Sequence, residues 1–406
     1  MLEPATTESQ KEFPFMADLH LHATKPSEDN LESGRVTDSW VNSEYRGIST
    51  EEFLDAKLRS GDYSQDCFLE IVDNFRRAGL PAVPHLVDAL YHAVMDEDYP
   101  DVLTFLTIGT PSCFTMEETI RAMNAFQGSR TKTIAKNLEG SLFSTEKTTG
   151  LLSDIVPTAP VSLDFRMMAR SLETLSPAAE SIGYRPVVKL HPLIQQFHLG
   201  RIPDAVFDVL DEHAALLVTH TGVFQGGPCI IQEGILDIDA ADPKHLRAPA
   251  GKHPKLDIVL SHMGTPDSVV ERYWMKRGKR ITHFRNALAL LLDCPNVHGD
   301  IGGLMYRTPT EGKYGEPKSE KEVDFTARSE LAFDSLALRL EDPVNYEIGG
   351  RRPSLRAKIV HGSDFPVTST TELKKQIRVL GRESEARTLR QVKNNAAHRS
   401  CKLLRK

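Results

Sequence analysis

Phe15-Met16-Ala17-Asp18-Leu19-His20-Leu21-His22 closes a short apolar run with Asp-x-His-x-His. Side chains alternate along a β-strand, so His20 and His22 are expected on one face and Leu19 and Leu21 on the other. Their Cα atoms then lie roughly 6.6 Å apart. Two imidazoles at that spacing can converge on one metal ion, whose ligands sit at about 2.0–2.1 Å. Two half-exposed histidines at a strand end satisfy the same pattern. Later strands decide between the two readings.

Working outward, 24–50 is a polar loop too long for an ordinary connection, and it reads as an insertion. Helical periodicity follows in 51–60 and in 66–78, where Phe68, Ile71, Val72 and Phe75 form one stripe. Gly79-Leu80-Pro81 stops that helix. A helix over 85–95 carries His85 and His92, both read as structural. Then a rhythm begins, with a strand over 101–109, a helix over 116–126, a strand over 160–165 containing Asp164, and a helix over 172–182. Four strands with chemistry at their C-terminal ends come next: Pro186-Val-Val-Lys-Leu-His-Pro192, Ala215-Leu-Leu-Val-Thr-His-Thr-Gly222, Leu256-Asp-Ile-Val-Leu-Ser-His-Met-Gly264 and Asn296-Val-His-Gly-Asp-Ile-Gly-Gly303. The last is Lys358-Ile-Val-His-Gly-Ser-Asp-Phe-Pro366. Helix 286–292 reads as buried, and 373–404 as closing helices packed on the outside.

With the His20/His22 strand the count is eight, the number that closes a TIM barrel. The strands are uniformly apolar, as in a parallel sheet covered on both faces. An open doubly wound sheet uses one crevice at a switch point, whereas here six strand ends carry His, Lys or Asp. The expected fold is α/β, a (β/α)8 TIM barrel with long inserted loops over the C-terminal face. Residues 1–14 form a tail, and 15–406 a single domain with insertions at about 24–100, 223–255 and 303–357.

Composition narrows the class. The 406 residues carry a net charge of -7 without a dense basic stripe, which argues against nucleic-acid binding. No apolar stretch is long enough to span a bilayer, and 1–12 lacks an apolar signal region. Five scattered cysteines without a C-x-x-C pair argue against a disulfide framework or a cysteine zinc site, so the cytosol is the expected compartment. A Gly-x-Ser-x-Gly elbow, a Gly-x-x-x-x-Gly-Lys-Ser/Thr loop and a Gly-x-Gly-x-x-Gly loop are all missing.

The candidates in chain order are His20, His22, Lys189, His191, His220, His262 and Asp364. Imidazole nitrogen with carboxylate oxygen suits zinc, and also manganese or iron. Three histidines and one aspartate can hold one such ion and leave a place for water, whose pKa then falls to about 7. His-x-His on the first strand, histidines ending the fifth and sixth, and aspartate in Gly-Ser-Asp-Phe-Pro on the eighth resemble the amidohydrolase superfamily. Lys-Leu-His-Pro, Ser-His-Met-Gly, Asn-Val-x-x-Asp and Asn394-Asn395-Ala396 are most similar to its amidohydrolase-2 type, the branch that includes aminocarboxymuconate-semialdehyde decarboxylase.

The resemblance implies that His20, His22, His220 and Asp364 ligate one divalent metal. It implies that Asp364 also takes a proton from the attacking water, and that His262 acts as acid or base toward the substrate. In binuclear relatives the sixth-strand histidine is a ligand instead. Lys189 and His191 are expected to contact an anionic group of the substrate. For Lys189, a carboxylated bridge between two metals and a packed ion pair stay open. Asp300 either orients the site or is a solvated carboxylate, and His361 supports the site from below. His198, His213, His245, His253, His283 and His398 show no partner.

The reading is a metal-dependent hydrolase of an ester, lactone or amide bond in a small anionic substrate. A non-oxidative decarboxylase on the same fold is the rival, and a non-catalytic, metal-stabilised binding protein is the alternative from another class. Small molecules are the expected partners, with no nucleic acid or membrane and with homo-oligomerisation left open.

Overall fold

The computed structural model describes residues 17–27, 30, 35–37, 41, 44–61, 63–95, 100, 102–127, 154–222, 238–264, 282–300, 358–360, 362 and 399–405. Among the described residues nine strands run in chain order, in a three-stranded parallel sheet of β1 Ala17–His22, β2 Val102–Leu106 and β3 Asp154–Val156 and a six-stranded parallel sheet of β4 Thr158–Pro160, β5 Val187–Leu190, β6 Leu216–His220, β7 Asp257–Ser261, β8 Val297–Asp300 and β9 Ile359–Val360. Only Pro157 separates β3 from β4, and Thr158 stitches across the break. Its hydroxyl donates to the Phe105 carbonyl at 2.7 Å and accepts from the Thr107 amide at 3.0 Å. Eight strand positions result, as the apolar runs predict.

These positions curl into the (β/α)8 barrel. One apolar cluster draws on residues from the first strand to the last, which a curled sheet allows and a flat one does not. Ala17, Leu19, Val102, Val156, Val187, Val218, Val259 and Val360 form one inner cluster. The outward residues, such as Leu190, Leu217, Ile258 and Leu260, pack in a separate cluster under the helices.

The helices form for local reasons. α1 Thr50–Ser60 opens on a capping box, Ser49 with Glu52, and ends at Gly61 in the left-handed region. α2 Gln65–Arg77 buries the predicted stripe Phe68, Ile71, Val72 and Phe75 against α3 Pro84–Met95, and α4 Met116–Gln127 joins the same cluster. α5 Phe165–Glu180, α6 Asp204–Glu212 and α7 His283–Asp293 cover the later strands. None of the described helices is long and apolar enough to cross a membrane.

Four sequence expectations change. A bulge on β1 lets Leu19 and His20 together oppose Thr104, so Leu19 joins the inner cluster and Leu21 the outer one instead of sharing a face. The third strand ends at Pro160 rather than Phe165, because Asp164 accepts from the Arg166 amide at 2.9 Å and caps α5. Cys401, Leu403 and Leu404 do not lie outside the barrel. They join the inner cluster, and the Leu404 carbonyl takes the Arg185 amide at 2.9 Å. Asp300 is 0% exposed, which removes its solvated reading. Residues 223–237 of the second insertion, the insertion 303–357 and all of 373–398, Asn394-Asn395-Ala396 included, lie outside the described residues.

Candidate metal centre and active site

Alternation along β5 and β6 aims every second residue inward. Val187 and Lys189 precede His191 on that side, and Leu216 and Val218 precede His220. The apolar residues fill the barrel, and the histidines arrive where the strands end. His22, His191, His220 and His262 are all buried there. His191 stacks on His220 with ring centroids 4.1 Å apart and planes at 15°, and His220 meets His262 at 4.8 Å and 65°. Burial first, then the charges of Lys189, His22 and His262, hold His191 well below the usual histidine pKa. The ring is therefore neutral at physiological pH.

The structure thus brings together four of the predicted histidines and places Lys189 beneath them. Lys189 is wholly buried, and its ammonium donates to Ser261 Oγ at 3.2 Å. The backbone of His20 lies on β1, but its side chain, like Asp364 and His361, lies outside the described residues. The donor set fits a divalent transition metal: imidazoles crowded together and screened from water are borderline nitrogen ligands of the kind zinc or iron takes.

His262 is presented by an unusual turn. His262, Met263 and Gly264 have φ of 63°, 49° and 67°, three successive left-handed residues directly after β7. The two non-glycine positions are each strained by about 1–3 kcal/mol. The surroundings enforce them. The Gly264 amide donates to Thr221 Oγ1 at 2.8 Å, and that hydroxyl donates to the Ser261 carbonyl at 2.8 Å. A Cβ on Gly264 would come within 2.6 Å of the His283 backbone, and one on Gly299 within 2.9 Å of the Met263 side chain. Ser-His-Met-Gly thus works as a unit with Thr221 and Gly299, which the sequence reading passed over. A glycine inside a strand, at Gly299, was the available signal.

Other histidines gain partners. His85 Nε2 lies 2.6 Å from Thr24 Oγ1, two residues past His22, and burial lowers its pKa to about 3. His213 faces Ser176, His198 caps the turn at Gly200 and meets His245 edge-on, and His253 faces Asp208. His298 turns down to Asp257 at 3.3 Å, and His283 faces Asp242.

The family model described as amidohydrolase matches residues 166–397. No curated protein matches the chain significantly. Among solved structures, 5-carboxyvanillate decarboxylase from Sphingomonas paucimobilis is 13% identical with a TM-score of 0.39, over 97% of this chain and 99% of that one. The probable 2-pyrone-4,6-dicarboxylic acid hydrolase from Acinetobacter baumannii, with citric acid bound, is 12% identical with a TM-score of 0.36, over 96% of each chain. 5-Carboxyvanillate decarboxylase from Novosphingobium aromaticivorans, complexed with manganese and 4-hydroxy-3-methoxy-5-nitrobenzoic acid, is 14% identical with a TM-score of 0.39, over 96% of each. With the family model spanning more than half of its residues, the chain belongs to the amidohydrolase family.

Proposed function

We propose that this enzyme hydrolyses an ester, lactone or amide bond in a small anionic molecule at the C-terminal rim of its barrel. The gathering of His22, His191, His220 and His262 from separate strand ends, above a buried lysine, is the observation that supports it most. His20, His22, His220 and, by its place in Gly-Ser-Asp-Phe-Pro, Asp364 would hold one divalent ion, zinc first and manganese or iron as alternatives. When bound, such an ion supplies a Lewis acid and makes water a nucleophile near neutral pH.

The chain's own groups do the rest. Asp364 accepts the proton that the attacking water gives up. His262, held in its left-handed turn, hydrogen-bonds the carbonyl oxygen or the leaving group. Lys189, anchored on Ser261, and His191 fix the anionic group of the substrate.

The test is Asp364→Asn, assayed on lactones, small amides and aromatic carboxylates alongside metal analysis of the purified protein. Turnover should fall by about 10³-fold, with the unfolding midpoint little changed. A variant that loses stability but keeps its turnover would sink the catalytic reading and leave a metal-stabilised binding protein. Release of carbon dioxide from an aromatic carboxylate would move the assignment to decarboxylation.

A further inference from the structure

Behind the His262 turn lies a second cluster of ligand-type side chains. Asp239 sits in the 3-10 turn Ile238–Ala241, Asp242 follows it, and His283 opens α7. One ligand atom from each lies within 4.8 Å of the others. The His283 side chain is 2% exposed, and its Nε2 faces Asp242 Oδ2 at 3.8 Å, beyond hydrogen-bond reach. Its Nδ1 is buried with no partner among the described residues. The edge that faces the carboxylates is Nε2, and without a hydrogen bond to Asp242 it is placed to meet a ligand there.

The pocket already attracts a cation. Lys244 places its ammonium 2.7 Å from Asp239 Oδ2 and 3.3 Å from Asp242 Oδ2, yet its side chain is 43% exposed and can swing into water. Asp242 is held in place by Asn286 Nδ2 at 2.9 and 3.0 Å and by the Lys244 amide at 3.0 Å. We propose that Asp239, Asp242 and His283 form a second cation site that takes a divalent transition metal in place of the Lys244 ammonium. Two carboxylates and an imidazole suit zinc or manganese. Ligand atoms around a tetrahedral ion lie about 3.4 Å apart, so atoms now within 4.8 Å of one another have to close by up to about 1.4 Å. The His283 backbone abuts Gly264, so an ion here braces the turn that presents His262. This inference does not rest on the proposed reaction.

The test is calorimetric titration of the full chain, stripped by chelator, with zinc chloride alone. Wild type should bind two ions. Asp239→Asn should abolish one, and Lys244→Met should tighten that one about tenfold by removing the competing ammonium. His220→Asn should abolish the other. Asp239 and Lys244 are 47% and 43% exposed, so both variants can be read even if His283→Gln fails to fold. A single ion lost with Asp239→Asn but kept with His220→Asn would uphold this site and defeat the rim reading. Asp239→Asn and Lys244→Met variants that titrate like wild type would overturn the proposal.

Discussion

The two ends of the barrel bury polar groups in opposite ways. At the bottom, complementary groups meet. Arg185 gives Nε to the Ala214 carbonyl at 2.6 Å, Nη2 to the Ala215 carbonyl at 2.8 Å and Nη1 to Asp257 at 2.6 Å, while its amide binds Leu404. At the rim, groups of one kind crowd together, with His191 on His220 and His220 against His262. Complementary charges hold a fold together. Several imidazoles gathered from separate strand ends mark a place where a ligand is expected.

That contrast can be broken at either end. His220→Ala should lower turnover by about 10³-fold and reduce bound metal, with little loss of stability, as measured by kinetics, elemental analysis and melting. A large fall in stability with turnover per folded molecule intact would erase the distinction. Arg185→Met should do the reverse. It leaves Asp257 buried without its cation and should cost about 3–5 kcal/mol, seen as a lower urea midpoint with kcat unchanged per folded molecule.

The pH dependence sharpens the comparison around β1. His85 is neutral when folded because burial lowers its pKa from 6.5 to about 3. Below 6.5 the unfolded chain takes up a proton that the folded chain refuses. Its contribution is therefore intact above 6.5 and falls by about 1.4 kcal/mol per pH unit from 6.5 toward 3. Urea midpoints at pH 7, 6 and 5 should show this slope, and His85→Gln should flatten it. The smallest effect is at the α5 cap, where Asp164→Ala removes the bond to the Arg166 amide and should cost about 1 kcal/mol in thermal melts, with activity unchanged.

Much of this was legible from local pattern. Uniform apolar runs announced the strands, the stripe through Phe68, Ile71, Val72 and Phe75 announced α2, and histidines at run ends pointed to a rim. Where alternation failed, a single inserted residue was the reason, since the β1 bulge separates Leu19 from Leu21. Asp164 was misplaced because a strand end and a helix cap favour the same short polar residue. His283 appeared to have no partner because Asp239 and Asp242 are more than forty positions away in the chain.

By itself, the sequence determined where the described strands lie, which of them end in ligand-type residues and which family the chain joins, because these depend on periodicity and composition over a few neighbours. Only the tertiary structure decided that His22, His191, His220 and His262 share one rim, that His262 stands in a left-handed turn, and that Asp239 and Asp242 meet His283. Those facts depend on how the sheet curls and on which backbones touch, and no short stretch of chain encodes either.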